Sequence, residues 1–367
     1  LRYMGMGDYQ TARVQFEMVL ENEPEAVDAW YYIGETYRLE GEHEKAREAF
    51  QEAINMDPGF APAYLGNALA RLALNPEANV LDDLDTAISL DDGYTAAYIQ
   101  RGAYLVDKGY TRSAIQDLET ALALDPASAP AWMYLAQAQL VEGDIEEALA
   151  SALKANELDM TLVPVYLVLA RAYLADGQME QVSAVLQTYL LYTPEDVEAY
   201  LSLATALNAA GEYALALNAL NRYLDERPVD PEAYFQRGLA HLNMGNPNLA
   251  EDDFKEAIRI NPFDFDAQLG LARAYFEQGK PGDAYVQAER GAYPLAKSDW
   301  TKAQVFYWEA TFLEEIDDPT SQLGARNLWL RLLDLPAESM PIEWRQAAFD
   351  HLGITSTPTR TNTRTPT

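Results

Sequence analysis

An all-α solenoid of stacked helix pairs is the fold that the sequence predicts, and three recurrences predict it. Trp30, Tyr64, Tyr98, Trp132, Tyr166, Tyr200 and Tyr234 follow one another at a constant interval of 34 residues. Glycine recurs with the same period at Gly7, Gly41, Gly109, Gly143, Gly177, Gly211, Gly245 and Gly279. There the first helix of each pair must stop and the chain reverse, through a conformation that costs a residue without a Cβ least. Five residues later comes a small side chain, at Ala12, Ala46, Ala114, Ala148, Ala216, Ala250 and Ala284, which lets the second helix approach the first; Val80 and Val182 are the exceptions. Self-similarity at this period marks an array in which no repeat buries its own apolar face and neighbours do it instead.

Other positions agree. A proline closes six repeats, at Pro24, Pro58, Pro126, Pro194, Pro228 and Pro262, where a helix must end. The segment from Trp30 to Pro58 carries the aromatic residue, Gly34, Tyr37, Gly41, Ala46, Phe50, Ala53 and Pro58 in one register. That register resembles the tetratricopeptide repeat family. Eight segments across residues 27–298 repeat it, and residues 1–26 supply the end of one more. The resemblance implies a right-handed superhelix whose first helices line a concave groove, a protein-binding scaffold and no enzyme.

Composition narrows the partners. Lys and Arg number 26 against 58 Asp and Glu, a formal charge of −32. Such a surface repels nucleic acid and anionic membranes, so neutral, apolar or basic partners are expected. There is no cysteine, which leaves no disulfide and no thiolate metal site. No apolar run reaches the ~18 residues of a membrane span. The chain of 367 residues is expected to be one elongated domain. It begins at Leu1, inside a helix of a repeat, and so reads as a processed or partial product of something longer.

Residues 1–26 hold the last turns of a first helix and a complete second helix, an end that exposes apolar surface. Residues 27–60 match the pattern best and 61–94 least, with Asn75 and Pro76 at the turn. Asp82, Asp83 and Asp85 read as acids in a helix's first turns, favoured by its dipole, with a cation site as the alternative. In the repeats of 163–196 and 197–230, Tyr189 and Tyr223 stand where most repeats place Ala53, Ala87, Ala121, Ala155 or Ala257. Either they push helices apart and change the curvature, or the rings lie flat in a looser core. Residues 265–298 decay, with Gln268 for the aromatic and Gly291 for the small residue.

Residues 299–352 then read as a divergent repeat and cap. Its helices run from Asp299 to Ile316, Thr320 to Leu335 and Pro341 to Leu352, with Trp300, Trp308, Trp329 and Trp344 making either a cap or a docking surface. Residues 353–367 form a Thr/Pro/Arg-rich linker or tail, the composition of O-glycosylated stalks, which suggests a bacterial cell-surface or periplasmic location with the cytoplasm as alternative.

Catalytic patterns are missing. His43, His241 and His351 lie far apart, none in a metal-ligand spacing, and no phosphate loop or nucleophile elbow occurs. No cofactor is expected. Family positions one, five, eight and nine residues after the aromatic give the groove: Leu65, Leu69, Leu72, Ile99, Val106, Met133, Leu140, Val141, Leu167, Arg171, Leu174, Leu201, Phe235, Leu239, Leu242, Leu269, Arg273 and Phe276. Glu35, Arg38, Asp107 and Glu277 are its other charged members. Chaperone-binding members of the family clamp a terminal carboxylate with Lys and Asn. The positions here hold Tyr31 and Glu35, Leu65 and Leu69, or Ile99 and Ala103, so that activity is not implied.

An apolar strip of this length is expected to be covered by the apolar face of a peptide or helix of another protein. The alternatives are that successive turns of a tight superhelix seal it, or that the chain assembles head to tail into filaments.

Overall fold

The computed structural model describes residues 1–354, which fold into twenty α-helices. The readings that fall on the tail, as linker, glycan acceptor and sign of location, lie outside the described residues. By contacts the chain forms two units, Leu1–Gln178 and Met179 onward. In the first, a 3-10 turn at Met4–Met6 precedes α1 (Tyr9–Asn22), and four helix pairs or parts of pairs follow. These are α2 (Val27–Leu39) with α3 (His43–Met56), α4 (Ala61–Leu74) with α5 (Leu81–Leu90), α6 (Thr95–Asp107) with α7 (Thr111–Leu124), and α8 (Ala129–Glu142) with α9 (Ile145–Leu158), before α10 (Pro164–Ala175). From α1 to α10 each helix packs on its neighbour in sequence.

The turn glycines from Gly7 to Gly279 all have φ between 73° and 90°. A Cβ added at any of them would meet nothing within 4 Å, so left-handed backbone and not space demands glycine. Asn75 shows the alternative. Its φ of −146° is extended, and the reversal becomes a longer loop in which the Asn75 carboxamide accepts from the Glu77 N–H at 3.1 Å. Arg71 holds that loop by donating to the Asn79 carbonyl at 2.7 Å.

The periodic aromatic has a second task besides packing. Six residues before it lies the end of the preceding repeat, and in five of the seven repeats its polar tip donates to that residue's carbonyl, whereas the Trp30 indole N–H finds no partner among the described residues. Tyr64 bonds Pro58 at 3.1 Å, Trp132 bonds Pro126 at 3.0 Å and Tyr166 bonds Met160 at 2.9 Å. That position supplies only a backbone carbonyl as acceptor, so Met160 takes the place of proline there and keeps the bond.

Side chains of the second helices lodge between successive first helices. Phe50 is fully buried, and a Cβ on either Gly34 or Gly66 would come within 2.6 or 2.5 Å of its ring. In the second unit Phe254 lies in the same way between Gly238 and Gly270. Where the second helix offers the smaller Leu118, only Gly102 remains and Tyr134 takes the other flank; where it offers Leu84 or Leu220, the flanks are Ala and Gln. Close packing at native density leaves no other way to admit a phenyl ring.

Arg–Asp pairs staple helix to helix beside this contact. Arg101 meets the buried Asp117 through two hydrogen bonds, at 2.7 and 2.6 Å, and Asp85 at 2.8 Å. Asp83 receives Arg71 at 2.5 Å and Asn67 at 3.1 Å. Of the acidic cluster, Asp83 and Asp85 are therefore occupied by arginines, while Asp82 and Asp83 also sit in the first turn of α5. Among the described residues no group of three acidic or histidine side chains could hold a metal ion. No described helix is long and apolar enough to cross a membrane.

The second unit begins with α11 (Met179–Tyr192), and continues through α12 (Val197–Ala209), α13 (Tyr213–Glu226), α14 (Pro231–Asn243), α15 (Pro247–Ile260) and α16 (Phe265–Glu277). Tyr189 and Tyr223 are buried at 7% and 3% exposure. Their hydroxyls donate to Asp196 at 2.8 Å and Asp230 at 2.6 Å, the residues that cap α12 and α14. Each ring thus ties its own helix to the start of the next repeat. The repeat then decays: α17 (Pro281–Gln287) runs into a π-helical turn, Ala288–Ala292, where Gly291 leaves room for the Gln268 carboxamide. Gln268 keeps the aromatic's bond, donating to the Pro262 carbonyl at 3.1 Å.

The end of the chain is α18 (Asp299–Glu314), α19 (Pro319–Asp334) and α20 (Ile342–Leu352). Trp329 is fully buried in their core, donates to Glu314 at 2.7 Å and stacks on His351 at 4.9 Å. Trp344 of α20 stacks on Tyr307 and Trp300. Inside α18, Glu309 is 4% exposed and one of its oxygens has no partner. Burial, then the neighbouring Glu289, push its carboxyl up to about 8, against the pull of Arg331.

Two outcomes follow from this packing. Gly66→Ala should cost about 1–3 kcal/mol by overpacking, and Phe50→Leu in the same chain should recover most of that loss in a urea-denaturation double-mutant cycle. Glu309 has a folded-state value above its unfolded one, so its stabilising influence is complete below about pH 4.5 and is lost as pH rises toward 8. Glu309→Gln should therefore raise the thermal midpoint at pH 8.5 and leave it nearly unchanged at pH 4.5, by differential scanning calorimetry.

Candidate functional site

The first helices of four successive repeats in the first unit present one face to a common cleft. It is a cavity of about 730 Å³ lined by Leu72 of α4, by Gln100, Ala103, Tyr104, Val106 and Asp107 of α6, and by Tyr134, Gln137, Leu140 and Val141 of α8. Arg171 and Ala175 of α10 and the turn residue Pro76 complete it. Val141 is 64% exposed, whereas Tyr104 is 9% exposed and forms the floor with the buried Leu65 and Leu84 behind it. Burial pushes the Tyr134 phenol up, so its hydroxyl stays a neutral donor and acceptor. The polar groups stand at the edge: Asp107, which Lys108 meets at 3.0 Å while also holding Glu77 at 2.9 Å, and Arg171, which takes no ion pair among the described residues.

Of the groove residues expected from the sequence, Leu72, Val106, Leu140, Val141 and Arg171 come together here. Leu174 is exposed at 53% without lining the cleft, and Leu69 and Leu167 are half-buried. Five expectations of exposure are corrected. Leu65, Ile99, Met133, Leu242 and Leu269 are buried, at 4% to 9% exposure. The reason is the next repeat: Tyr104 covers Leu65, Leu135 packs in the cluster of Ile99, Leu271 in that of Leu242, and Val305 in that of Leu269. Four of the five stand one residue after the aromatic position, which is thus part of the seam between repeats, and Leu242 stands eight after it. Lining comes at the expected offsets of five, eight and nine and also at two and six, and Gln100, Tyr104, Tyr134 and Gln137 were missed. For Tyr104 a signal exists, an aromatic six residues after the periodic one where most repeats carry Ala.

In the second unit Leu201 is half-buried and Phe276 packs on Phe312, ring centres 5.0 Å apart. Phe235, Leu239, Leu269 and Arg273 border a smaller cavity of about 200 Å³, which Asp266, Gly270, Gln304, Trp308 and Trp344 close. The terminal helices α18 and α20 supply three of those walls. Here the inner face expected to be open is covered by the chain's own residues. The histidines join neither cavity. His241 lies 3.9 Å from Asp253, with burial pulling its imidazole down, and His351 meets Glu314 at 2.9 Å.

Helix pairs joined by left-handed glycine turns, stacked through small and aromatic residues, define the class of helical repeat scaffolds. The tetratricopeptide repeat pattern matches residues 1–60, 99–161 and 235–299 in one version and 142–207 in another, more than half of the chain. The chain belongs to the tetratricopeptide repeat family, whose fold is that of a protein–protein interaction scaffold.

A comparison with curated proteins finds no match. Among solved structures, a tetratricopeptide repeat protein from Parabacteroides merdae is 19% identical with a TM-score of 0.51, covering 71% of this chain and 97% of that one. The C-terminal part of a TPR repeat-containing protein from Cytophaga hutchinsonii is 16% identical with a TM-score of 0.51, covering 69% and 99%. PilW, a type IV pilus biogenesis factor, is 16% identical with a TM-score of 0.51, covering 56% and 96%. At these identities the likeness is one of fold.

Proposed function

We propose that the protein is a non-enzymatic scaffold and that the cleft of α4, α6, α8 and α10 receives an apolar segment of another protein. The observation that carries this reading is the cleft itself: Leu140 and Val141 lie on its wall beyond what the packing of helix pairs uses. A volume of about 730 Å³ accommodates several side chains of an extended or helical segment. The charge of −32 favours a segment flanked by Lys or Arg, which would meet Asp107 and the acidic surface around it.

A second reading, self-assembly, is favoured by α1. Val14, Met18 and Val19 are 46%, 51% and 41% exposed there, and such a face could dock on another copy.

A peptide library displayed on phage and selected on the immobilised full chain tests the first reading. Selected peptides should share apolar positions with basic flanks, and Leu140→Asp with Val141→Asp should abolish their binding while the helical circular dichroism signal stays. Peptides that bind the double variant equally well would remove the cleft from consideration. Light scattering decides the second reading: a particle mass that stays at one chain across concentrations eliminates self-assembly.

A further inference from the structure

The smaller cavity in the second unit is bordered by two polar groups that no described residue satisfies. Arg273 is half-buried, and its guanidinium takes neither a hydrogen bond nor an ion pair among the described residues. It lies over the Trp308 ring at 4.9 Å, with only the field of Glu277 nearby, and burial pulls it below its ordinary value. A guanidinium offers five donors in a rigid fork that fits a carboxylate. Withdrawing part of such a charge from water without a hydrogen-bond acceptor costs free energy. Gln304 presents the converse, since its carboxamide oxygen is buried with no donor to it. Asp266 stands two turns before Arg273 on α16, about 10 Å along the axis, and it makes no hydrogen bond among the described residues.

Between these groups the walls are aromatic: Phe235, Trp308 and Trp344. Trp344 is held in place by stacking on Tyr307 at 4.8 Å and Trp300 at 5.5 Å, so the wall formed by α20 is built and not incidental. A volume of about 200 Å³ is small for a protein segment and suited to a single small molecule.

We propose that this cavity binds a free α-amino acid with an aromatic side chain. Its carboxylate pairs with the fork of Arg273, its ammonium donates to the Gln304 oxygen and faces Asp266, and its ring packs between Trp308 and Trp344. One such ligand supplies an acceptor to the unpaired cation and a donor to the unpaired acceptor, which neither water-filled space nor a purely apolar ligand does. Acidic groups near the site, Asp264 and Glu232 beside Asp266 and Glu277 beside Arg273, work against a simple anion. A zwitterion escapes that repulsion. The inference is independent of the cleft in the first unit.

Isothermal titration calorimetry of the full chain with L-phenylalanine tests it, alongside 3-phenylpropionate, which lacks the ammonium, and phenethylamine, which lacks the carboxylate. Phenylalanine should bind saturably below about 1 mM, with each truncated analogue weaker by about tenfold or more. Arg273→Met and, separately, Gln304→Leu should each weaken phenylalanine by a similar factor. Because Arg273 makes no hydrogen bond or ion pair among the described residues, Arg273→Met should largely keep the thermal midpoint, which separates lost binding from lost structure. No saturable heat up to about 10 mM, equal binding by either analogue, or undiminished binding by a folded Arg273→Met variant would overturn the proposal.

Discussion

The contact on which everything else depends is the lodging of one second-helix side chain between two successive first helices. A helix pair of this length cannot hide its own apolar face, and it becomes stable only when the next pair supplies the missing wall. At Phe50 and Phe254 that wall is glycine on both sides, and at Leu84 and Leu220 it is Ala and Gln. The chain therefore solves the same volume problem several times with different residue sets, and the sum of side-chain sizes across the seam is kept while individual positions vary. Arg–Asp staples such as Arg101 with Asp117 and Arg237 with Asp253 sit beside these contacts and fix the rotation of one helix against the other.

This constraint also decides which residues are free for binding. Side chains at the seam are consumed by the neighbouring repeat, and only those toward the C-terminal ends of the first helices, or reaching past the seam, are left over. In the first unit the remainder forms an open cleft. In the second, α18 and α20 fold Trp308 and Trp344 against the corresponding face, so that a broad surface is traded for an enclosed pocket with an unpaired arginine in it. One architecture thus carries two kinds of cavity, according to what closes its inner wall.

The architecture was legible because its signals are local and periodic. Turn glycines, the closing proline and the aromatic rung each answer a backbone requirement, so the helices α1 to α16 lie where the period puts them, and the divergent pair α18 and α19 lies within two residues of the expected Asp299 to Ile316 and Thr320 to Leu335. The groove was legible only in part. Leu65 and Leu72 carry the same side chain on the same helix, yet one is under Tyr104 and the other lines the cleft. What separates them is a residue more than thirty positions away, and no local pattern contains it. The same limit applies to Tyr189 and Tyr223: their size was visible, whereas the carboxylates that receive their hydroxyls depend on how the next helix starts.

The empty space around the turn glycines has an evolutionary corollary. No heavy atom lies within 4 Å of where a Cβ would stand on any turn glycine, so extra residues inserted at that point have room and would add only a slowly growing entropic penalty. The edge of the array is thus the one place where new structure can be grafted without renegotiating the fit between neighbours, and a lineage of such chains can diversify along that margin while its inner walls stay unchanged.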